Sequence, residues 1–195
     1  DVKVAIVSGR SMEDIKHRVG ISNLIYVANH GLEIDGPHIS YVHPEALERE
    51  KLFQEITVVL REKLHLTGII VENKRFSVTV HYRLVRRDRV DEAKRILLNA
   101  VQPYLDGGYV LISEGKKVWE LRPQVLWNKG TAVAWLFARF SSHSDRNVLP
   151  IYIGDDRTDE DALKMIHGKG LGIKVINYFD ESTGADFFLL SPTEV

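Results

Sequence analysis

The sequence predicts an α/β protein with a mainly parallel sheet, interrupted by a smaller sheet that is apolar on one face only. Two observations predict it. Toward both ends of the chain, apolar runs that stop in polar turns alternate with helical patterns, the order expected of a parallel sheet with helices between its strands. In the middle the continuous runs give way to strict two-residue alternation, the mark of strands with one buried and one polar face. The boundaries this suggests are residues 1–36 and 122–195 for the parallel layer and 37–121 for the insert.

The elements follow in order. "VKVAIVSGR" reads as a strand buried on both faces that runs into a tight turn. "SMEDIKHRV" is a short helix, with Ser11 as its N-cap and acids in its first turn. "NLIYVANHG" is a second strand ending in a polar loop. From Pro44 to about His65, Leu52, Phe53, Ile56, Val59, Leu60 and Leu64 recur at helical spacing. In "FSVTVHYR", Phe76, Val78, Val80 and Tyr82 take one face, and Ser77, Thr79, His81 and Arg83 the other. A second helix is expected from about Asp88 to Gln102, with Ala93, Ile96, Leu97, Ala100 and Val101 on its inner stripe, and "YVLISEG" and "KVWELRP" follow as strands. "NKGTAVAWL" opens a helix with Asn128 as cap, "VLPIYIGDD" is a third strand of the parallel layer, and "GLGIKVI" and "ADFFLLS" are two more. "SPTEV" reads as the start of a final helix.

Composition narrows the function. Hydrophobic residues make up 44% and charged residues 27% of 195, with a net charge of −1, so no global field draws nucleic acid or an anionic membrane. The densest basic stretch, "RLVRRDR" at 83–89, reads as a solvated turn. The absence of cysteine excludes disulfides, thiolate metal sites and a cysteine nucleophile, and fits a reducing, cytoplasmic setting. No apolar run approaches the roughly 18 residues of a membrane helix, and no signal peptide is visible. The histidines show no zinc spacing, there is no "GxSxG" elbow, and "GKGLG" at 168–172 precedes its strand, so it reads as a turn and not as a dinucleotide loop.

The stretch "YIGDDRTDED" concentrates acids where a strand ends. In open α/β sheets ligands bind beyond the carboxyl ends of the strands. Thr158, Asp159 and Asp161 are accounted for by helix capping and the helix dipole. Asp155 and Asp156 precede that cap and repel one another, and two hard carboxylates there suit Mg²⁺. "SGR" at 8–10 either caps the following helix or holds a phosphoryl oxygen. Lys129, in a first turn where acids are favoured, either faces solvent or faces an anion. Glu72 with Lys74, and Glu120 with Arg122, stand two residues apart on extended chain, as Ser77, His81 and Arg83 do. Such rows are either cross-strand ion pairs or a surface for a polyhydroxylated ligand.

Taken in order, "VSGR", "NHG", "ENKRFSVTVHYR", "VWELRP", "NKG" and "GDDRTDED" resemble the trehalose-6-phosphate phosphatases of the haloacid-dehalogenase-like superfamily. The resemblance implies a Rossmann-like parallel-sheet core with an α/β cap, and Mg²⁺-dependent hydrolysis of trehalose 6-phosphate through an aspartyl-phosphate intermediate. It implies that Ser8 binds the transferring phosphoryl group and Lys129 neutralises its charge. Asp155 and Asp159 are the implied metal residues, with Asp156 in support. Arg10, Asn29 and His30 are implied at the cleft between core and cap, and Glu72, Lys74, Arg83, Glu120 and Arg122 at the sugar. The expected partners are a small sugar phosphate and, by fusion or association, trehalose-phosphate synthase; neither nucleic acid nor membrane is expected. The family's nucleophile motif, "DxDGT", is absent, and Asp1 sits at the wrong end of its strand. The chain is therefore expected to be part of a longer one, inactive alone, with a gap between the Val2–Val7 and Ile151–Ile153 strands. Two alternatives stay open: a non-catalytic sugar-phosphate-binding or regulatory module, and a phosphatase for another sugar phosphate.

Overall fold

The computed structural model describes residues 2–142, 147–176 and 182–195; Asp1 lies outside the described residues. In chain order the elements are β1 (Ala5–Val7), α1 (Met12–Val19), β2 (Ile25–Ala28), β3 (Glu33–Gly36), β4 (Ile39–Val42), α2 (Pro44–Glu48), α3 (Glu50–Lys63), β5 (Ile70–Asn73), β6 (Val78–His81), α4 (Val90–Asp106), β7 (Val110–Gly115), β8 (Val118–Pro123), α5 (Lys129–Ser142), β9 (Ile151–Gly154), α6 (Glu160–Ile166), β10 (Leu171–Val175) and β11 (Phe187–Leu189). They form two compact units: Asp1–Ser40 with Trp127–Val195, and Tyr41–Leu126. Among the described residues no helix is long and apolar enough to cross a membrane.

The first unit is α/β. β1 pairs in parallel with β2, and β10 pairs in parallel with β9 on one side and β11 on the other. Ser11 caps α1 as expected, its hydroxyl accepting from the Asp14 amide at 3.2 Å. Two features differ from the sequence reading. Residues 33–42 form a hairpin, β3–β4, that extends the first sheet in the order β1-β2-β3-β4, whereas the reading began the insert at residue 37. Strands of four residues are too short for their alternation to stand out. The first strand is also shorter than its apolar run suggests: β1 begins at Ala5, and Val2 and Val4 before it are 84% and 49% exposed. The pairing explains this. Among the described residues β1 pairs only with β2 and β9 only with β10, so the two parallel ladders are separate sheets, each with an open edge.

The second unit is an antiparallel sheet in the order β5-β6-β8-β7, with α3 and α4 on one face. Phe53, Ile56 and Leu60 of α3 and Ala93, Leu97 and Val101 of α4 pack on Val78, Val80, Trp119 and Leu121 of the central strands. Trp119 also stacks on Tyr82, with ring centroids 4.1 Å apart. The single helix expected over residues 44–65 is two, because the backbone at Arg49 (φ −95°, ψ 5°) leaves the helical region. α4 continues past Gln102 to Asp106 and accommodates Pro103 in its last turn. One polar residue lies in the buried stripe of α3. Thr57 donates to the Phe53 carbonyl at 2.6 Å and accepts from Asn73 Nδ2 at 2.7 Å, so its burial leaves no unmet polar group.

Trp119 is 1% exposed at the centre of this core. Trp119→Ala is expected to lower the unfolding free energy by about 3–5 kcal/mol in denaturant titrations. A cost below about 1 kcal/mol would mean that the two-helix layer does not depend on this side chain.

Candidate active site

The turn after β9 explains the spacing of its acids. Asp156 is the N-cap of a 3₁₀ turn over Arg157–Asp159 that leads into α6. Its carboxylate accepts from the Arg157 amide at 3.1 Å, and Asp159 Oδ2 reaches back to the Asp156 amide at 2.9 Å, a reciprocal capping box. This corrects the reading that put Asp156 before the cap. Gly154 is required here, because a Cβ on it would stand 2.5 Å from the Asp159 Cβ. Asp155 and Asp156 are exposed at the end of β9, and Asp155 makes no hydrogen bond or ion pair with other described residues.

Asp159 is buried beneath that turn. Its Oδ1 accepts from Lys129 Nζ at 2.7 Å and from the Tyr152 hydroxyl at 2.6 Å. With the Asp156 amide on Oδ2, both oxygens of Asp159 are engaged by the protein. The carboxylate expected at the metal is thus the anchor of Lys129, and Asp155 and Asp156 are the outward-facing acids. Burial by itself raises the Asp159 carboxyl, but the Lys129 ammonium and the hydrogen bonds outweigh it and hold the group below its usual range. Burial first, and then the charge of Asp159, push the Tyr152 phenol far above its usual value, so it remains a donor.

Lys129 is placed by its neighbours. Asn128 and Thr131 cap α5 reciprocally: the Thr131 amide donates to Asn128 Oδ1 at 2.9 Å, and the Asn128 amide to Thr131 Oγ1 at 2.7 Å. The next residue must be small, since a Cβ on Gly130 would lie 2.4 Å from the Asp161 carbonyl. The starts of α5 and α6 therefore touch, and the lysine between cap and glycine reaches Asp159 with 4% of its surface exposed.

Ser8, Arg10, Asn29 and His30 form the neighbouring part of the same unit. The Ser8 amide donates to the Val27 carbonyl at 2.8 Å, the His30 amide to the Ser8 carbonyl at 3.1 Å, and the Asn29 amide to the Arg10 carbonyl at 2.8 Å. Asn29 (φ 48°), His30 (φ 58°) and Gly31 (φ 104°) are left-handed in succession, a strained turn of the kind often found at functional sites. Asn29 Nδ2 donates to the buried Glu33 at 2.7 Å, and the Trp127 indole to the Gly31 carbonyl at 2.7 Å. Trp127 immediately precedes the α5 cap, so the turn after β2 is tied to the helix that carries Lys129. Arg10 is exposed and bonded to Asp14 at 2.6 Å.

In the second unit, the sheet face away from α3 and α4 is polar. Register puts Glu72, Thr79, Glu120 and Ser113 in one cross-strand row. Lys74 Nζ reaches Glu120 at 3.1 Å, and His81 Nε2 lies 2.8 Å from Glu72. Arg122 shares this face, two residues beyond Glu120. Arg83 does not continue the row, because β6 ends at His81 and Arg83 stands exposed in the turn beyond it.

The sequence reading missed Tyr152, Glu160 and Lys174. Lys174 on β10 is buried, with Nζ 2.7 Å from Glu160 and 3.3 Å from the Asp156 carbonyl. Glu160 also accepts from Thr183 Oγ1 at 3.0 Å and the Gly184 amide at 3.0 Å. Burial acts to raise its carboxyl, and Lys174 with these donors brings it below the usual range. A lysine inside the apolar run of β10 is the one signal that pointed to this pair.

As a donor set, Asp155 and Asp156 fit Mg²⁺, which takes hard oxygens and completes its shell with water or phosphate. Among the described residues no cluster of three or more acidic, histidine or cysteine side chains could hold a metal by itself.

The family model described as trehalose-phosphatase matches residues 1–193. A probable trehalose-phosphate phosphatase of Oryza sativa subsp. japonica is 36% identical over 197 residues, covering 98% of this chain and 53% of the rice protein. The chain spans about half the length of the relatives it matches in sequence. Among solved structures, a trehalose-6-phosphate phosphatase related protein superimposes with a TM-score of 0.79 at 23% identity, covering 97% of this chain and 76% of that one. The C-terminal domain of a Candida albicans trehalose synthase regulatory protein gives 0.77 at 14% identity, covering 100% and 79%. Both superpositions speak to fold alone.

Removing one partner of the buried pair strands the other charge. Lys129→Met is expected to cost about 3 kcal/mol of unfolding free energy. A double-mutant cycle with Asp159→Asn should show a coupling of about 1 kcal/mol or more. Strictly additive costs would show that the two groups do not depend on each other.

Proposed function

Because the chain belongs to the trehalose-phosphatase family, we propose that the protein is a phosphoric monoester hydrolase that releases phosphate from trehalose 6-phosphate with Mg²⁺. One observation carries the reading. A buried lysine, fixed by Asp159, lies under a turn that presents two outward carboxylates, and this is an arrangement for a phosphoryl group. Phosphoryl transfer depends on positioning and on cations that offset charge on the equatorial oxygens.

In this reading the residues divide as follows. Ser8 offers its hydroxyl to the phosphoryl oxygens. Lys129 keeps N–H donors beyond the one spent on Asp159, and directs positive charge to the same oxygens. Asp155 and Asp156 would hold Mg²⁺, which supplies charge neutralisation when bound, and Asp159 acts through Lys129. Arg10 and His30 stand beside Ser8, while Asn29 maintains the turn. Glu72, Lys74, Glu120 and Arg122 contribute the sugar-binding face, with Arg83 at its margin. The covalent step uses an aspartate carboxylate that attacks phosphorus; the bond from phosphorus to the sugar oxygen breaks, that oxygen gains a proton, and water later releases phosphate. The family motif for that aspartate, "DxDGT", is not among the 195 residues, which span about half the length of the relatives they match. We place the enzyme in the cytoplasm, with trehalose-phosphate synthase as its partner by fusion or association.

A second reading is a sugar-phosphate-binding or regulatory module, which the absence of "DxDGT" from these residues would suit. The retained Ser8, Lys129 and acid pair favour the hydrolase.

Phosphate release by the full-length protein, with Mg²⁺ and with a chelator, separates the two. Chelation should abolish hydrolysis, and Asp155→Asn should lower kcat by about 100-fold or more. Near-normal turnover of that variant at low Mg²⁺ would remove Asp155 from the metal. Glu120→Ala should raise KM for trehalose 6-phosphate roughly tenfold or more and leave p-nitrophenyl phosphate hydrolysis nearly unchanged. Equal effects on the two esters would remove the sugar-binding assignment.

A further inference from the structure

The hydrolase reading gives no role to one buried threonine on the polar sheet face of the second unit. Thr79 lies in β6, opposite Glu72 on β5 and opposite Glu120 on β8. It is 2% exposed, and its Oγ1 makes no hydrogen bond with any described residue. A buried hydroxyl without a partner destabilises a fold, and valine would fill nearly the same space without that penalty. Elsewhere this unit meets such needs, as Thr57 on the helix side shows with its two bonds. The neighbours of Thr79 are also matched, Glu120 with Lys74 and Glu72 with His81. A second orphan, Arg122 Nε, stands on the same face. The unmet atoms of Thr79 and Arg122 thus share one side of this sheet.

The chemistry of the row indicates what would meet them. Adjacent strands are about 4.8 Å apart, so Glu72, Thr79 and Glu120 make a row about 10 Å wide. Ionised carboxylates only accept hydrogen bonds, whereas a hydroxyl also donates. A sugar hydroxyl can donate to a flanking glutamate while its oxygen accepts from a donor between the two. We infer that Thr79 Oγ1 is a specificity-determining contact to a sugar hydroxyl, set between the two glutamates; this rests on reading the protein as a sugar-phosphate hydrolase. Both flanking carboxylates are held within the sheet face, Glu120 by Lys74 and Glu72 by His81, and the inferred contact forms when ligand hydroxyls take them over.

The test compares wild type, Thr79→Val, Thr79→Ser and Glu120→Ala as full-length proteins on trehalose 6-phosphate and p-nitrophenyl phosphate, with denaturant midpoints. Thr79→Val should raise KM for the sugar ester about three- to tenfold, leave kcat/KM for the aryl ester unchanged, and not lower the midpoint. Thr79→Ser should stay close to wild type. If Glu120→Ala weakens the sugar ester and Thr79→Val does not, the inference falls and the hydrolase reading stands. Equal losses on both esters, or a serine variant as weak as the valine one, also overturn it. If wild type does not hydrolyse trehalose 6-phosphate, both fall together. Should Thr79→Val fail to fold, Thr79→Ala against Thr79→Ser isolates the same hydroxyl.

Discussion

The contact between Lys129 and Asp159 organises the first unit. Both groups are almost fully buried, at 4% and 5% exposure, and each is intolerable there without the other. Such a pair adds little net stability compared with apolar packing; what it fixes is position. It binds the start of α5 to the turn after β9, and the glycines on either side are what let those backbones approach. Asp159 completes the capping box with Asp156 as it receives the lysine. The outward direction of Asp155 and Asp156 therefore follows from an interaction that neither of them makes. Lys174 and Glu160 repeat the device one strand over, and Lys174 also holds the Asp156 carbonyl.

The second unit assigns different work to the two faces of one sheet. Its helix side closes every polar need that Thr57 raises, and its other side keeps charged pairs and unmet atoms. The fold does not decide between catalysis and regulation, since a phosphatase-related protein and a regulatory domain superimpose almost equally well, at TM-scores of 0.79 and 0.77. Function on such a scaffold lies in a few side chains and their surroundings.

Much of this was legible in sequence because it is local. Ser11 and Asn128 announce helix starts through bonds that span three residues. The rows on β6 and β8 follow from strand parity, and the strands of the parallel layer from their apolar runs. What could not be read depends on partners distant in sequence. Asp159 looks like one more acid in a cluster until Lys129, thirty positions earlier, is found against it. Lys174 stands out in its apolar run, but nothing local names Glu160 as its partner, and Arg83 leaves its row because β6 stops two residues sooner than the alternation does. The β3–β4 hairpin escaped notice since each arm offers only two side chains per face.

The turn at Asn29, His30 and Gly31 has a bearing on how this protein tolerates change. Left-handed backbone costs an ordinary L-residue roughly 1–2 kcal/mol, and asparagine less than most. Glu33 and Trp127 clamp the turn from two directions, so it has no cheap way to unwind. Position 30 must then screen substitutions by backbone shape before any question of chemistry arises. Branched residues such as valine or isoleucine would be filtered out there even in a variant library selected only for folding.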